Sequence, residues 1–265
     1  MLNVSSDVQR QFAVHPTFTA RCGIDGMEGL VGRTSFVRRK VKCREHLFHA
    51  GQPRRSLFLV HAGTFKISMV TADGREKVAG FRYAGELLGL DALDIPSYAC
   101  DVVALEDAEV WELPCSELTE ERFEFVRWIT STLASEVRRD WNWMLTLGTL
   151  NAEQRVTAFL LDLAARMASM GFSERRFLLR MTRADIGSFL AIKLETVTRA
   201  LSRLQTRGMI SVRGRSIDLL DAARMRASLE SEDRAGQVRM PRRRAAGGLP
   251  FTSTGRSVTA LQAAA

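Results

Sequence analysis

The chain is poor in the features that announce several common protein classes. Of its 265 residues only four are cysteines, Cys22, Cys43, Cys100 and Cys115, and no two stand at C-x-x-C spacing. That scatter argues against a zinc knuckle and against a disulfide framework. No apolar run approaches the roughly 20 residues a membrane span needs. Residues 1–18 lack a basic start followed by an apolar stretch, so no secretory leader is expected and a cytoplasmic location is. No Ser-His-Asp set, metal cluster or phosphate loop stands out. Gly85-Glu-Leu-Leu-Gly89 lacks the lysine and spacing of a P-loop. An enzyme is therefore not expected.

What is present is an ordinary globular composition, 46% hydrophobic and 26% charged, with length for one large or two modest domains. The net charge of +8 is unevenly placed. Residues 1–181 balance 23 basic against 23 acidic side chains, whereas residues 182–215 carry seven against two and residues 222–265 eight against three. A neutral front and a basic back suggest a polyanionic partner for the C-terminal part.

The pattern changes along the chain. Residues 1–30 show no sustained period and read as a loose arm. From Val41 to Leu113, short apolar runs such as Leu57–Val60, Phe65–Val70 and Val102–Leu105 are punctuated by glycine, the signature of a compact β-barrel or jelly roll. Asp73-Gly74 marks a hairpin. From Glu120 to Leu147, Val126, Thr130, Leu133, Val137, Met144 and Leu147 fall at alternating steps of four and three. That is a long helix with a heptad-like seam, which a second copy of the chain would cover. Asp140 interrupts the seam with a carboxylate that would face its twin across a two-fold axis, where like charges repel. A second helix is expected over 152–169, closed by Gly171.

Residues 182–220 carry the most specific pattern. Thr182 caps a helix running from Arg183 to Leu190. Ala191-Ile192-Lys193 forms a short turn, and a second helix runs from Leu194 to Arg207 and ends at Gly208. A hairpin turning at Arg213-Gly214-Arg215 follows. Helix, turn, helix and hairpin make a winged helix-turn-helix. Burying Val197, Leu201 and Leu204 turns Glu195, Thr198 and Arg199 outward, where an arginine can bond guanine and a glutamate can accept from cytosine. Thr182, Arg183, Arg203, Arg207, Arg213 and Arg215 are placed to touch phosphates. Beyond 222 the composition, with Pro241-Arg242-Arg243-Arg244 and an Ala/Ser/Thr-rich end, reads as a disordered basic tail.

Met181-Thr-Arg-Ala-Asp-Ile-Gly-Ser-Phe-Leu190, Glu195-Thr-Val-Thr-Arg-Ala-Leu201 and the stretch Leu57–Leu93 resemble the Crp/Fnr transcription regulators, most closely the Fnr/FixK-like branch, over roughly residues 40–220. The resemblance implies an α+β chain: an arm over 1–30, a cyclic-nucleotide-binding-type β-roll over 31–118, and a dimerisation helix over 119–150. A winged helix-turn-helix follows over 151–222, then the tail over 223–265. It also implies a homodimer on double-stranded DNA. Residues at the places of Glu195, Thr198 and Arg199 would read a TTGAT-like palindrome, and Leu194 at the place of an arginine in the Crp branch favours that site. Regulation of transcription initiation through RNA polymerase would follow, with a patch near Leu87–Asp94. Two departures stand out. The family's turn glycine is Ala191 here, and its helix-capping Thr or Ser is Lys193.

For the sensor, the family's cyclic nucleotide is not expected, because Tyr98-Ala99 replaces the Arg-Ser pair that holds the cyclic phosphate, and Arg75 and Arg82 are not at the matching position. Nor is the Fnr-type [4Fe–4S] cluster. Only Cys22 stands in the arm, Trp111 holds the fourth ligand's place, and Cys115 is displaced from it by four residues. Haem remains an option through His15, His46, His49 or His61, although His46 and His49 flank strand residues and need not point the same way. A regulator without a cofactor is the expectation. The alternative is a regulatory domain that senses haem, gas or redox state and reads no specific DNA.

Overall fold

The computed structural model describes residues 37–115 and 123–230. The arm over 1–30 and the tail beyond 230 lie outside them. Eight strands form the front domain: β1 (Val37–Val41), β2 (His46–Phe48), β3 (Ser56–Ala62), β4 (Phe65–Val70), β5 (Glu76–Arg82), β6 (Leu87–Leu88), β7 (Asp101–Ala104) and β8 (Ala108–Pro114). They pair antiparallel in two four-stranded sheets, β1-β8-β3-β6 and β2-β7-β4-β5. Apolar side chains alternate inward from both sheets, and Val41, Phe48, Phe58, Val60, Phe65, Val102 and Val110 meet in one core. This is the expected β-roll. The hairpin at Asp73-Gly74 joins β4 to β5, with Val70 opposite Glu76 and Gly74 left-handed at φ 79°.

Helix α1 (Phe123–Thr149) then runs for 27 residues. Helix α2 (Ala152–Ser169) starts at a capping box in which Asn151 accepts from the Gln154 amide and Gln154 reaches back to the Asn151 amide. The winged helix-turn-helix unit follows: β9 (Arg176–Leu178), α3 (Arg183–Phe189), α4 (Leu194–Thr206), β10 (Ile210–Arg213) and β11 (Ser216–Leu219). Strand β9 pairs with β11 and gives the wing three strands, one more than the sequence pattern shows.

One boundary is corrected. The chain does not become irregular at 223, because α5 (Ala222–Glu230) continues the fold. Asp221 accepts from the Arg224 amide at 2.9 Å, which starts the helix, and Met225 is fully buried against the rest of the domain. One anchored side chain and a cap suffice to order nine residues against α2.

The two domains share a core. Val78 and Phe81 of β5, with Tyr83 just after it, join α2, α3, α4 and the wing in a single apolar cluster. Phe81, Trp143, Phe159 and Phe189 form its aromatic centre, with ring centroids 4.8 to 6.4 Å apart. Polar contacts reinforce it. The Val78 amide donates to Ser188 Oγ at 3.0 Å, Lys77 donates to the Ser188 carbonyl, and Lys66 pairs with Asp185 at 3.3 Å. The edge strand β5 of the front domain is thereby covered by the first helix of the winged helix-turn-helix unit.

Candidate nucleic-acid interface

Helix α4 is placed from beneath. Val197, Ala200, Leu201 and Leu204 are buried, and each fully buried leucine stabilises by about 1.5–3 kcal/mol. With that stripe fixed, a period of 3.6 leaves the opposite stripe to solvent. Glu195 and Arg199 are exposed there and Thr198 is half-buried. Helix α3 crosses beneath with Ile186 and Leu190 buried. The two helices approach so closely at Gly187 that a Cβ there would lie 2.7 Å from the Ile192 carbonyl oxygen, so glycine is required.

Both departures in the turn have structural consequences. Ala191 sits at φ 54°, in the left-handed region that disfavours an L-residue. Lys193 occupies the N-cap of α4 with extended backbone and makes no side-chain cap. The helix start is therefore under-satisfied, yet the helix forms, held by its buried face.

The arginines divide into groups. Arg213 ends β10 and Arg215 lies in the two-residue wing turn with Gly214, both exposed, and with Arg199 and Glu195 they form no ion pair with any described residue. Arg203 and Arg207 lean back onto Glu153 in the first turn of α2, at 3.5 and 2.5 Å. Their guanidiniums stay more than half exposed and can meet a phosphate from that position. Arg183, at the start of α3, donates to Thr198 Oγ1 at 3.3 Å. Thr182 differs from the expectation. Its hydroxyl accepts from the Asp185 amide and donates to Asp185 Oδ2 at 2.6 Å, so the cap uses the group that would have met a phosphate.

The long helix presents an apolar stripe to solvent. Val126, Val137 and Met144 are exposed on it, as expected, and Met144 is 64% exposed. Trp141 and Leu145 join them, while Leu133 packs with Ile129 of the same helix against Leu57 and Leu113 of the barrel, and Leu147 is half-buried. The reason is geometric. A straight helix drifts by about 20° per heptad against a strict seven-residue repeat. Past Val137 the exposed face therefore passes to Trp141 and Leu145, while Asp140 stays exposed and Leu147 turns half-buried. Asp140 lies at the stripe's edge, beside the cleft lined by Arg82, Arg139 and Trp143.

Between sensor and helices lies a charged network that sequence separation hides. Arg82 pairs with Glu136 at 2.6 Å, Arg139 with Glu86 at 2.7 Å and with Glu136, and Arg166 with Glu86 at 3.5 Å and Asp162 at 3.0 Å. Burial alone would raise the Glu86 carboxyl, but the Arg139, Arg166 and Arg82 guanidiniums outweigh it and hold it at about 2. Glu86 thus ties the β5–β6 turn to α1 and α2.

The histidines do not behave as the strand pattern suggests. β2 ends at Phe48, its pairing with β7 slips between His46 and Phe48, and the rings of His46 and His49 stack 4.1 Å apart on the surface. His49 bonds Asp101 at 3.1 Å and His61 stacks on Trp111. Among the described residues no three His, Cys, Asp or Glu gather as a metal site.

Comparison with known proteins places these features together. Residues 38–122 match the cyclic nucleotide-binding domain model and residues 154–228 the Crp-like helix-turn-helix domain model. The transcriptional activator protein Anr of Pseudomonas aeruginosa is 35% identical over 202 residues, covering 75% of this chain and 81% of that protein. The fumarate and nitrate reduction regulatory protein of Escherichia coli is 33% identical, covering 74% and 78%. The structure of FixK2 from Bradyrhizobium japonicum superposes with a TM-score of 0.67 at 29% identity, over 73% of this chain and 96% of that one.

The first model implies a cyclic nucleotide, and the residues here do not fit one. Tyr98 is buried where a cyclic phosphate needs a cation. It stacks on Phe48 at 3.8 Å and its hydroxyl donates to the Ser56 carbonyl at 2.7 Å. Arg82 is committed to Glu136. The described cysteines stand apart as free thiols, Cys43 exposed, Cys100 buried and Cys115 half-buried, and none belongs to a group of three metal-binding side chains among the described residues. With a sensor-type β-roll, a long helix and a winged helix-turn-helix in one chain, the protein belongs to the Crp/Fnr family of DNA-binding transcription regulators.

Proposed function

We propose that two copies of this chain pair along α1 and read a TTGAT-like palindrome with Glu195, Thr198 and Arg199. The observation that carries this reading is the outward face of α4. Glu195 and Arg199 are exposed over a fully buried aliphatic stripe, and the wing arginines Arg213 and Arg215 lie on the same unit. An outward second helix with its N-terminal turn free fits the major groove, and a dimer sets half-sites about one helical turn apart. Pairing along α1 would cover Val137, Trp141, Met144 and Leu145, clustered within nine residues, and Val126 nearer the helix start, all otherwise left to water.

Cofactor-free operation belongs to the same proposal, supported by the aromatic filling around Tyr98. So does regulation of transcription initiation by contact with RNA polymerase. In the segment Leu87–Asp94, Leu87 and Leu88 are buried, so Asp91 and Asp94 are the exposed acids available for that contact. A cytoplasmic location follows from the same activity, and no helix among the described residues is long and apolar enough to cross a membrane.

The test is fluorescence anisotropy of the full chain on a labelled duplex carrying two TTGAT half-sites, against a scrambled duplex, over a salt series. Tighter binding to the palindrome by about 10³-fold or more, with two chains per duplex and a steep fall with salt, supports the reading. Equal affinity for both duplexes contradicts it.

A further inference from the structure

The hydroxyl of Thr198 is set differently from those of five of the seven other helix threonines. Thr130, Thr132, Thr149, Thr157 and Thr206 each donate to the carbonyl four residues back, at 2.8 to 3.0 Å. That is the default for a threonine within a helix. Thr198 makes no such donation. Its Oγ1 instead accepts from Arg183 Nη1 at 3.3 Å, across the gap between α3 and α4.

The chemistry of the two groups fixes the direction. A guanidinium carries five N–H donors and no acceptor, so the threonine oxygen must accept. With a cation on that side, the hydroxyl hydrogen is driven away from it, toward the outer face of α4. Accepting one bond also polarises the O–H and strengthens it as a donor. Thr198 is thereby presented to a duplex as a hydrogen-bond donor. The major-groove edges that answer a donor are guanine N7 and O6, adenine N7 and thymine O4. The amino groups of cytosine and adenine do not. Without Arg183, the hydroxyl is released to turn onto the Leu194 carbonyl, as its five counterparts do, and would show the base lone pairs instead.

From this geometry we infer that Arg183 is a specificity-determining residue that acts through Thr198, beyond any phosphate it touches. The inference rests on the reading of α4 as the base-contacting helix. Arg183 is the positioning group and Thr198 the one that meets the base.

The experiment separates the two ideas. Affinities of the full-length wild type, Arg183→Ala, Thr198→Val and the double variant are measured on the TTGAT palindrome and on duplexes in which one base pair of one half-site is changed at a time, over a salt series. Arg183 is exposed, and matched thermal melts check that each variant folds. The expected result is that Arg183→Ala reduces discrimination by about 3- to 10-fold at one base pair, the same pair affected by Thr198→Val. In the Thr198→Val background, Arg183→Ala changes discrimination at that pair no further. A uniform loss over all duplexes in both backgrounds, with a salt slope smaller by about one, would make Arg183 a phosphate contact only and overturn the inference. A wild type that binds every duplex alike would instead overturn the reading of α4 itself.

Discussion

Replacing Ala191 with glycine should stabilise the DNA-reading unit, and the sign of the effect is the informative part. Ala191 holds φ 54° in the turn between α3 and α4, where Gly187 and Ile192 leave the backbone no room to relax. A left-handed L-residue costs roughly 1–2 kcal/mol. Glycine removes that cost but widens the unfolded ensemble, which returns about 0.4–1 kcal/mol. The Ala191 side chain is exposed, so deleting its methyl removes little packing. The difference favours glycine by about 0.8 kcal/mol at the midpoints, within bounds of roughly 0 and 1.6. Urea denaturation followed by tryptophan fluorescence is a suitable assay, because Trp143 stacks edge-on against Phe189 at 4.8 Å and reports on the docked helix-turn-helix. Midpoints must be compared at equal chain concentration, since pairing shifts them. If the turn were not left-handed, glycine would act through the unfolded chain alone. Ala191→Gly would then be destabilising, and the account of the turn would be wrong.

Other outcomes follow from the same structure. Lys193→Ser supplies the missing cap of α4 and should add about 0.5–2 kcal/mol by urea melts, and no gain would mean the N-cap is already satisfied. The Glu86 carboxyl is held at about 2 when folded and lies near 4.5 when unfolded, so its contribution is complete above pH 4.5 and lost as pH falls toward 2. Wild type should therefore exceed Glu86→Gln in stability by at most about 3 kcal/mol at neutral pH, with the gap closing through that window. A gap independent of pH would remove Glu86 from the ion network. Met144→Glu, on the exposed stripe, should shift the chain toward monomer in sedimentation equilibrium, whereas Asp140→Ala should tighten pairing by removing like charge at its edge. An unchanged dissociation constant for Met144→Glu would show that α1 is not the paired surface.

Much of the architecture was legible because local signals agreed. The bounds of α2 were legible from the apolar face of Val156, Phe159, Leu160, Leu163 and Met167 and from Gly171, and α4 is legible because Val197, Leu201 and Leu204 recur at helical spacing before Gly208. β9 was not legible, because three residues with only Phe177 buried carry no period of their own. α5 had a signal in Asp221 and the helix-forming run that follows, but one buried methionine in an arginine-rich stretch looks like solvated chain. The seam was half legible, since the heptad was visible and its drift on a straight helix was not. The ion network around Glu86 joins residues 50 to 80 positions apart, and no local pattern can announce it. The same holds for the bond from Arg183 to Thr198, which needs the crossing of two helices to exist.

The claim on which the rest depends is that the outer face of α4 reads bases. It is tested most directly by Arg199→Ala beside Arg215→Ala, each assayed on the TTGAT palindrome and on the same duplex with one G·C pair of a half-site replaced by A·T. Wild type should prefer the intact site by about 5- to 100-fold. Arg199→Ala should bring that ratio close to one, whereas Arg215→Ala should weaken both duplexes alike and leave the ratio intact. An Arg199→Ala variant that keeps the full preference would contradict the account.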